Sequence, residues 1–334
     1  MVNVETGFVG ALPRPYRLAK YINKYLSGKI SKEKIEGYYL EFTKRAISKT
    51  VKIGLNYITD GMFRWDDIFN PLISFIDGVE VDGLVKFYEN NFFYRTPRVI
   101  GEVKIRENPL KEWFLNAQAI LKHLNINDKV VLKPVLPGPL TLTLHSINEK
   151  YDSESKLLHD YTFNVLLPLI RDFNEVGASI IELHEPALVA LNVDKSLINE
   201  ALDCIKALTV KGHVKIWLQT YFGPIDKVLP DILELKNIIV GVDVVDYPKS
   251  IDKIVEYEGF KELAVGVFDA RNTLLESRKT ILHTIHKLID TSIDTIILTP
   301  NTTLDFLPEN VAYRKLRRIS SIARYIRKML KGEK

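Results

Sequence analysis

Run after run of apolar residues in this chain ends on side chains that can do chemistry. Asp60 and Arg64 follow the second run, and Pro137, Gly138 and Pro139 follow the third, with Thr141 and His145 beyond. His184 and Glu185 close the fourth, Gln219, Thr220 and Tyr221 the fifth, and Asp243 and Asp246 the sixth. Asp269, Arg271 and Asn272 end the seventh, and Asn301, Thr302 and Thr303 follow the eighth. A carboxylate that closes a buried run must meet a partner or a ligand. His184, Glu185 and Asp243 are therefore the candidates for catalysis. Asp60, Arg64, His145, Gln219, Tyr221, Asp269 and Asn301 are the candidates for substrate binding. Together they predict a polar mouth with both signs of charge, suited to a small zwitterionic or acidic ligand. Plainer roles stay open at single positions: Asp60 and Asp269 as turn or cap residues, and His184 as a hydrogen-bonded core histidine.

Metal chemistry has little to stand on. His184 with Glu185, Asp243, Asp246 or Asp269 supplies nitrogen and oxygen donors, but no HxH, HxxxH or HxC pair closes any run. His283 and His286 share a helical pattern and read as packing or surface residues. Cys204 is the one cysteine, which excludes a cysteine-rich metal site and an intrachain disulfide. No GxSxG elbow is present, so a serine triad has no support.

The elements that must position these residues alternate along the chain. Strand-like runs fall at 6–12, 57–60, 130–136, 179–184, 214–221, 238–245, 263–269 and 295–299. Helical patterns fall at 31–53, 156–175, 195–209, 250–257, 273–288 and 311–330. Most strand runs are continuously apolar, as parallel strands covered by helices require. Eight β/α repeats predict an α/β fold, a closed (β/α)₈ TIM barrel, with active residues at the C-terminal strand ends. No Gly-rich dinucleotide fingerprint follows the first run. Segment 77–104 is rich in aromatic and β-branched residues punctuated by glycine. It predicts a β-hairpin excursion after strand two, long enough to act as a lid. No linker or repeat divides residues 1–334, so one barrel domain is expected.

Composition excludes several classes. The chain has 334 residues, 46% of them hydrophobic, and a net charge of +4 from 46 basic and 42 acidic residues. That balance calls for neither nucleic acid nor a membrane. No apolar run approaches the ~18 residues of a membrane span. No signal peptide is visible, so a cytoplasmic protein is expected. Abundant Lys, Ile and Tyr resemble thermophile composition. The last helical stretch carries nine basic residues from Arg314 to Lys334 beside an apolar stripe of Leu316, Ile319, Ile322, Ile326 and Leu330. It reads as the outer helix of the last repeat with a solvated basic face, and alternatively as a patch for RNA or an acidic protein.

Seven segments, in order from one end to the other, resemble the cobalamin-independent methionine synthase family. They are FVGALPRPYRL (8–18), YLSGKISKEKIEGYY (25–39), NYITDGMFRWDDIF (56–69), KPVLPGPLTL (133–142), IIELHEPALVAL (180–191), TYFG (220–223) and LTPNTTLDFLP (298–308). The resemblance implies methyl transfer from a methyltetrahydrofolate-like donor to homocysteine, in methionine biosynthesis. In that family a zinc-thiolate site makes the substrate thiol a nucleophile. Its ligands are an HxC pair after strand five, a Glu after strand six and a Cys after strand eight. Here Gln219 and Tyr221 stand at the pair and Thr302 at the last Cys, with Asp243 and Asp246 near the Glu position.

Other positions depart as well. The opening Gly-Ser is Gly10-Ala11, the Glu of TDGE is Met62, the pterin-stacking Trp falls on His145, and the Asp of DEPAL is His184. The scaffold motifs remain while zinc chemistry is lost. The resemblance therefore implies a barrel like the family's zinc-less N-terminal half, although the opening and TDG segments are closer to the catalytic half. Zinc is not expected, and no tightly bound cofactor is. The leading expectation is a donor-binding subunit acting with a separate zinc-bearing barrel, with Arg64, Arg95, Arg98 and Lys104 as candidates for the donor's acidic tail. A methyltransferase with another donor or acceptor, and a non-enzymatic scaffold, are the alternatives.

Overall fold

The computed structural model describes residues 2–88, 90, 92–126 and 130–332. Twelve strands occur among them: β1 (Asn3–Thr6), β2 (Tyr57–Ile58), β3 (Ile76–Lys86), β4 (Phe93–Ile105), β5 (Val131–Leu132), β6 (Val135–Pro137), β7 (Ile147–Asn148), β8 (Ile180–His184), β9 (Lys215–Gln219), β10 (Ile238–Asp243), β11 (Glu262–Phe268) and β12 (Thr295–Pro300). The parallel order β1-β12-β11-β10-β9-β8-β6 forms one sheet, and β2 pairs with β5. A bridge between Gly7 and Tyr57 joins β1 to β2. Since β5 and β6 are two halves of one stave, the circuit closes into eight parallel staves, a (β/α)₈ barrel.

The staves are buried on both faces, and alternation decides which residue meets which core. Ile181, Leu183, Ile216, Leu218, Val240, Val242, Leu263 and Val265 point outward, into the large core under the helices. Ile180, Trp217, Ile239, Ala264 and Ile297 form a separate cluster inside the barrel. The charged and amide side chains Lys133, Glu182, His184, Gln219 and Asp243 share the period-two phase of that inner cluster, so they fill the lumen above it.

The outer helices are α1 (Tyr16–Leu26), α2 (Lys32–Ile53), α3 (Pro109–His123), α4 (Pro139–Leu144), α5 (Glu154–Asp160), α6 (Leu167–Glu175), α7 (Ala187–Ala190), α8 (Lys195–Gly212), α9 (Ser250–Tyr257), α10 (Arg278–Ile289) and α11 (Glu309–Leu330). Ser31 caps α2 by accepting from the Lys34 amide, and Gly54 ends it at φ +88°. A π-helical turn, Tyr161–Leu166, joins α5 to α6, so the single helical pattern at 156–175 is continuous but locally widened. α11 buries the expected apolar stripe, except that Leu330 is only partly buried.

Three expectations shift. The first strand is Asn3–Thr6, and 7–12 forms the loop beyond it. That loop reads as a strand because Phe8, Val9 and Leu12 are buried where it plugs the mouth. The run at 130–136 is broken after Leu132, where Lys133 and Pro134 interrupt the ladder. The helix expected from 273 begins at Arg278, since residues 270–277 form a loop tied to α11 by Lys315, whose ammonium meets the Leu274 carbonyl at 2.6 Å. The excursion is a long antiparallel hairpin, β3 with β4, and β7 adds alongside β4.

Lys133 is the most demanding interior residue. It is fully buried and forms an ion pair with the equally buried Glu182. Its ammonium also donates to the Phe8 carbonyl at 2.9 Å and lies 4.5 Å from the Trp217 ring centroid. Removing one partner of such a pair strands a charge. Glu182→Leu is expected to destabilise the fold by about 3–5 kcal/mol, and Lys133→Met with Glu182→Leu to restore most of that loss. Urea denaturation of the three proteins checks this. A double variant no more stable than the single one would show that the pair is not the source of the cost.

Candidate active site at the mouth of the barrel

Glu182 organises the centre of the mouth. Its Oε1 accepts from the Gly10 amide at 2.8 Å and from His184 Nε2 at 2.6 Å. The opposite nitrogen, His184 Nδ1, lies 3.1 Å from the Tyr221 hydroxyl. A carboxylate accepts, so Nε2 carries the proton and Nδ1 receives the hydrogen bond from tyrosine. Burial and then the Lys133 charge push His184 down to about 3, so the ring is neutral. Gly10 lies at φ +54°, and a Cβ there would come within 2.7 Å of the His184 ring. The β1 loop therefore requires glycine at that position in order to cross the mouth. The loop is stitched to the end of β12, with Ala11 N donating to Thr303 Oγ1 at 2.8 Å and Leu304 N to the Ala11 carbonyl at 3.0 Å.

Beside this network lies a cavity with about 580 Å³ of empty space, its open mouth included. His184 and Tyr221 line it together with the aromatic residues Trp65, Phe87, Phe92, Phe222 and Phe306, and with Met62 and Asp305. Phe87 and Phe92 come from the tip of the hairpin, so the excursion forms part of the wall. Asn90, at the same tip, accepts from Arg271 at 2.9 Å, and Arg271 also pairs with Asp246 and lies over Phe222. The hairpin thus reaches across to the loops after β10 and β11.

The remaining candidate residues are placed as follows. Glu185 is fully buried and turned away from the cavity. It accepts from the Leu140 amide at 2.9 Å and from the Thr141 amide at 2.6 Å, as well as from the Thr141 hydroxyl, so it caps the turn into α4. A Cβ on Gly138 would collide with that carboxylate at 2.3 Å. Asp243 accepts from the Val245 and Asp246 amides at 3.0 and 3.1 Å and from Asn301 Nδ2 at 3.2 Å. Asn301 Oδ1 in turn accepts from the Ala270 amide, so Asp243 and Asn301 lock the ends of β10, β11 and β12 together. Gln219 accepts from the Trp217 indole at 2.9 Å and donates to the Thr220 carbonyl inside the lumen. His145 donates from Nδ1 to the Thr141 carbonyl at 3.0 Å and packs among Phe69, Phe87, Tyr88 and Tyr94; burial pushes it down to about 4.

Asp60 accepts from the Met62 amide at 2.8 Å and borders a smaller cavity with Lys133 and Trp113; burial raises its pKa. Asp269 accepts from the Arg271 amide in a turn. Arg64 pairs with Glu36 on α2 and lies between Tyr39 and Trp113, away from the mouth cavity. Arg98 pairs with Glu149 at the surface. The expected mixture of both charge signs is therefore corrected: among the described residues, those that line the cavity include Asp66, Asp67 and Asp305 but no Lys or Arg.

Sequence reasoning missed Lys133, Glu182 and Asp305. The first two carried a signal, since each is a charge inside an otherwise apolar strand run. Asp305 lay within a quoted motif but past the strand end.

The residues at the positions that the family resemblance matched to zinc ligands do not suit zinc. Gln219 and Tyr221 are engaged within the protein, Asp243 is held by amide donors, and Thr302 offers a neutral hydroxyl. Among the described residues, no three His, Cys, Asp or Glu side chains converge to hold a metal. No helix of the described residues is long and apolar enough to cross a membrane.

A closed barrel with this mouth has the fold of the B12-independent methionine synthases. The structure matches one from Shewanella sp. W3-18-1 in complex with selenomethionine with a TM-score of 0.83 at 18% identity, covering 98% of this chain and 99% of that one. It matches a methyltransferase from Methanosarcina mazei with a TM-score of 0.66 at 12% identity, covering 98% and 94%. Among curated proteins, the methionine synthase of Saccharolobus solfataricus is 27% identical over 332 residues, 98% of this chain and 96% of that protein. The methionine synthase of Sulfolobus acidocaldarius is 25% identical over 315 residues, 94% and 89% of the two chains. Residues 77–292 match the family described as "Cobalamin-independent synthase, N-terminal domain", and the chain belongs to that family, a protein of cobalamin-independent methionine synthase type.

Burial pushes Glu185 up to about 7, against the bonds that hold it down. It pushes Asp243 up to about 7 as well, with Asp246 adding to the effect. Both values lie above those of an unfolded chain, ~4.3 and ~3.9. The folded protein thus keeps protons that the unfolded chain has released. Stability from these groups is complete below about pH 4 and is lost as pH rises through about 7. The buried neutral histidines His184 and His145 act in the opposite direction over this window, so the check is a difference between proteins: the urea midpoint of Asp243→Asn relative to that of the unmodified chain is expected to rise from about pH 5 to about pH 7.5. A difference that stays constant across the window would contradict this account.

Proposed function

We propose that this chain is the donor-binding barrel of a methyl transfer to homocysteine, acting with a separate barrel that carries the zinc. One observation carries the reading: an aromatic cavity is kept at the catalytic end of the barrel, while Gln219 and Tyr221, at the HxC positions, are neutral and bonded within the protein, and Thr302, at the last Cys position, offers only a neutral hydroxyl. A flat heterocycle suits walls made of Trp65, Phe87, Phe92 and Phe222, because ring faces offer large contact area at low entropic cost. His184 and Tyr221 present a neutral, pre-oriented pair at the inner wall, with Lys133 and Glu182 holding it from behind. Asp243, Asn301, Glu185 and Gln219 act at one remove, by fixing the loops that shape the cavity. The chain's own part is to bind and orient the donor and to exclude water from it.

The test combines calorimetry and turnover on the purified chain, with a methyltetrahydropteroyl-glutamate donor and homocysteine. Donor binding with no turnover alone, and turnover when a zinc-bearing methionine synthase barrel is added, is the expected result. Tyr221→Phe is expected to weaken donor binding by about threefold to tenfold, the worth of one hydrogen bond. Turnover by the isolated chain with stoichiometric zinc would overturn the proposal. Turnover without zinc would favour a methyltransferase with an altered site.

A further inference from the structure

The mouth cavity contains a carboxylate with one oxygen left unsatisfied. Asp305 lies in the 3₁₀ turn Leu304–Phe306 after β12 and lines the cavity. Its Oδ1 is buried and has no hydrogen-bond partner. Thr303 and a backbone amide hydrogen-bond to the carboxyl, and the charged or titratable groups that act on it are His184, which is neutral, Arg14 and Tyr221. Arg14 is already engaged, donating to the Trp65 carbonyl at 2.5 Å and to Asp66 at 3.3 Å. Among the described residues no Lys or Arg lines the cavity, so an anionic group would find no counter-charge from them.

A buried acceptor without a partner is costly and is kept where a ligand completes it. The surrounding walls are aromatic, and the face of an aromatic ring is negative. A carboxylate and ring faces together favour a cation that is only weakly hydrated. A metal ion would need more donors than converge here.

We propose that the mouth cavity is a binding site for an N-alkylated ammonium group, with Asp305 as its counter-charge and the aromatic walls around its alkyl substituents. This deepens the reading of the cavity as a donor site. The ammonium arrives either as a free small compound or as the amine of a larger donor.

Choline and its neutral isostere 3,3-dimethylbutan-1-ol separate charge from shape. By calorimetry on the full chain near pH 7.5, choline is expected to bind at least tenfold more tightly than the alcohol. Asp305→Asn is expected to reduce choline affinity at least tenfold and leave the alcohol unchanged. Burial pushes the Asp305 carboxyl up to about 6. Choline affinity should therefore fall as pH drops from about 7.5 to about 5, where His184 stays neutral.

Equal affinity for choline and alcohol, or an unchanged affinity in Asp305→Asn, overturns the proposal. Choline that fails to bind while the methyltetrahydropteroyl donor binds overturns it too, and leaves the donor-barrel reading standing. Asp305-dependent choline binding without donor binding supports the cation site and sinks the donor-barrel reading. Where both bind, displacement of choline by the donor assigns the ammonium to the donor itself, and independent binding assigns it to a separate small compound.

Discussion

The arrangement of the mouth depends on one buried ion pair, Lys133 with Glu182. Two charges without solvent can be held only if every remaining lone pair and proton finds a partner. The Phe8 carbonyl and the Trp217 ring complete the ammonium, and the Gly10 amide and His184 complete the carboxylate. Those four partners come from the β1 loop, from β8 and from β9. The pair therefore draws the plug loop down over the lumen and sets the plane of the histidine. It also fixes that histidine as neutral, with its proton on the side of Glu182.

From that constraint the polarity of the cavity follows. The cation of the network is enclosed beneath the mouth, and the arginines of the neighbouring loops are paired on the outside. What faces the cavity is a neutral His–Tyr pair, the carboxylates of Asp66, Asp67 and Asp305 and a set of aromatic faces. The hairpin supplies two of those faces. Asp67 roots it to the β2 loop by accepting from the Phe69, Asn70 and Arg95 amides. A surface excursion has thus become part of the binding wall.

The zinc-ligand positions tell a related story. At three of them the replacement has a structural task. Gln219 satisfies the indole of Trp217, Tyr221 orients His184, and Asp243 ties three strand ends together. Gly241 leaves room for the Gln219 amide, since a Cβ there would lie 2.1 Å from it. The lumen is repacked around oxygen and nitrogen partners drawn from the chain itself.

Fold class was legible in the sequence because eight continuously apolar runs, six of them followed by a helical pattern, can close in few ways. The ordered motifs placed the chain in its family for the same reason: glycines such as Gly10 and Gly138 sit where a side chain would collide. Strand ends marked the mouth but could not tell lining from scaffold. Glu185 and Asp243 read like catalytic groups and Asn301 like a substrate ligand; all three are bonded to backbone amides, and Asp243 and Asn301 also to each other. The inward or outward phase of each strand residue, and the partner waiting on a stave distant in sequence, exist only once the barrel has closed. That is why Lys133, Glu182 and Asp305 became visible as a network and a cavity wall only in the tertiary structure.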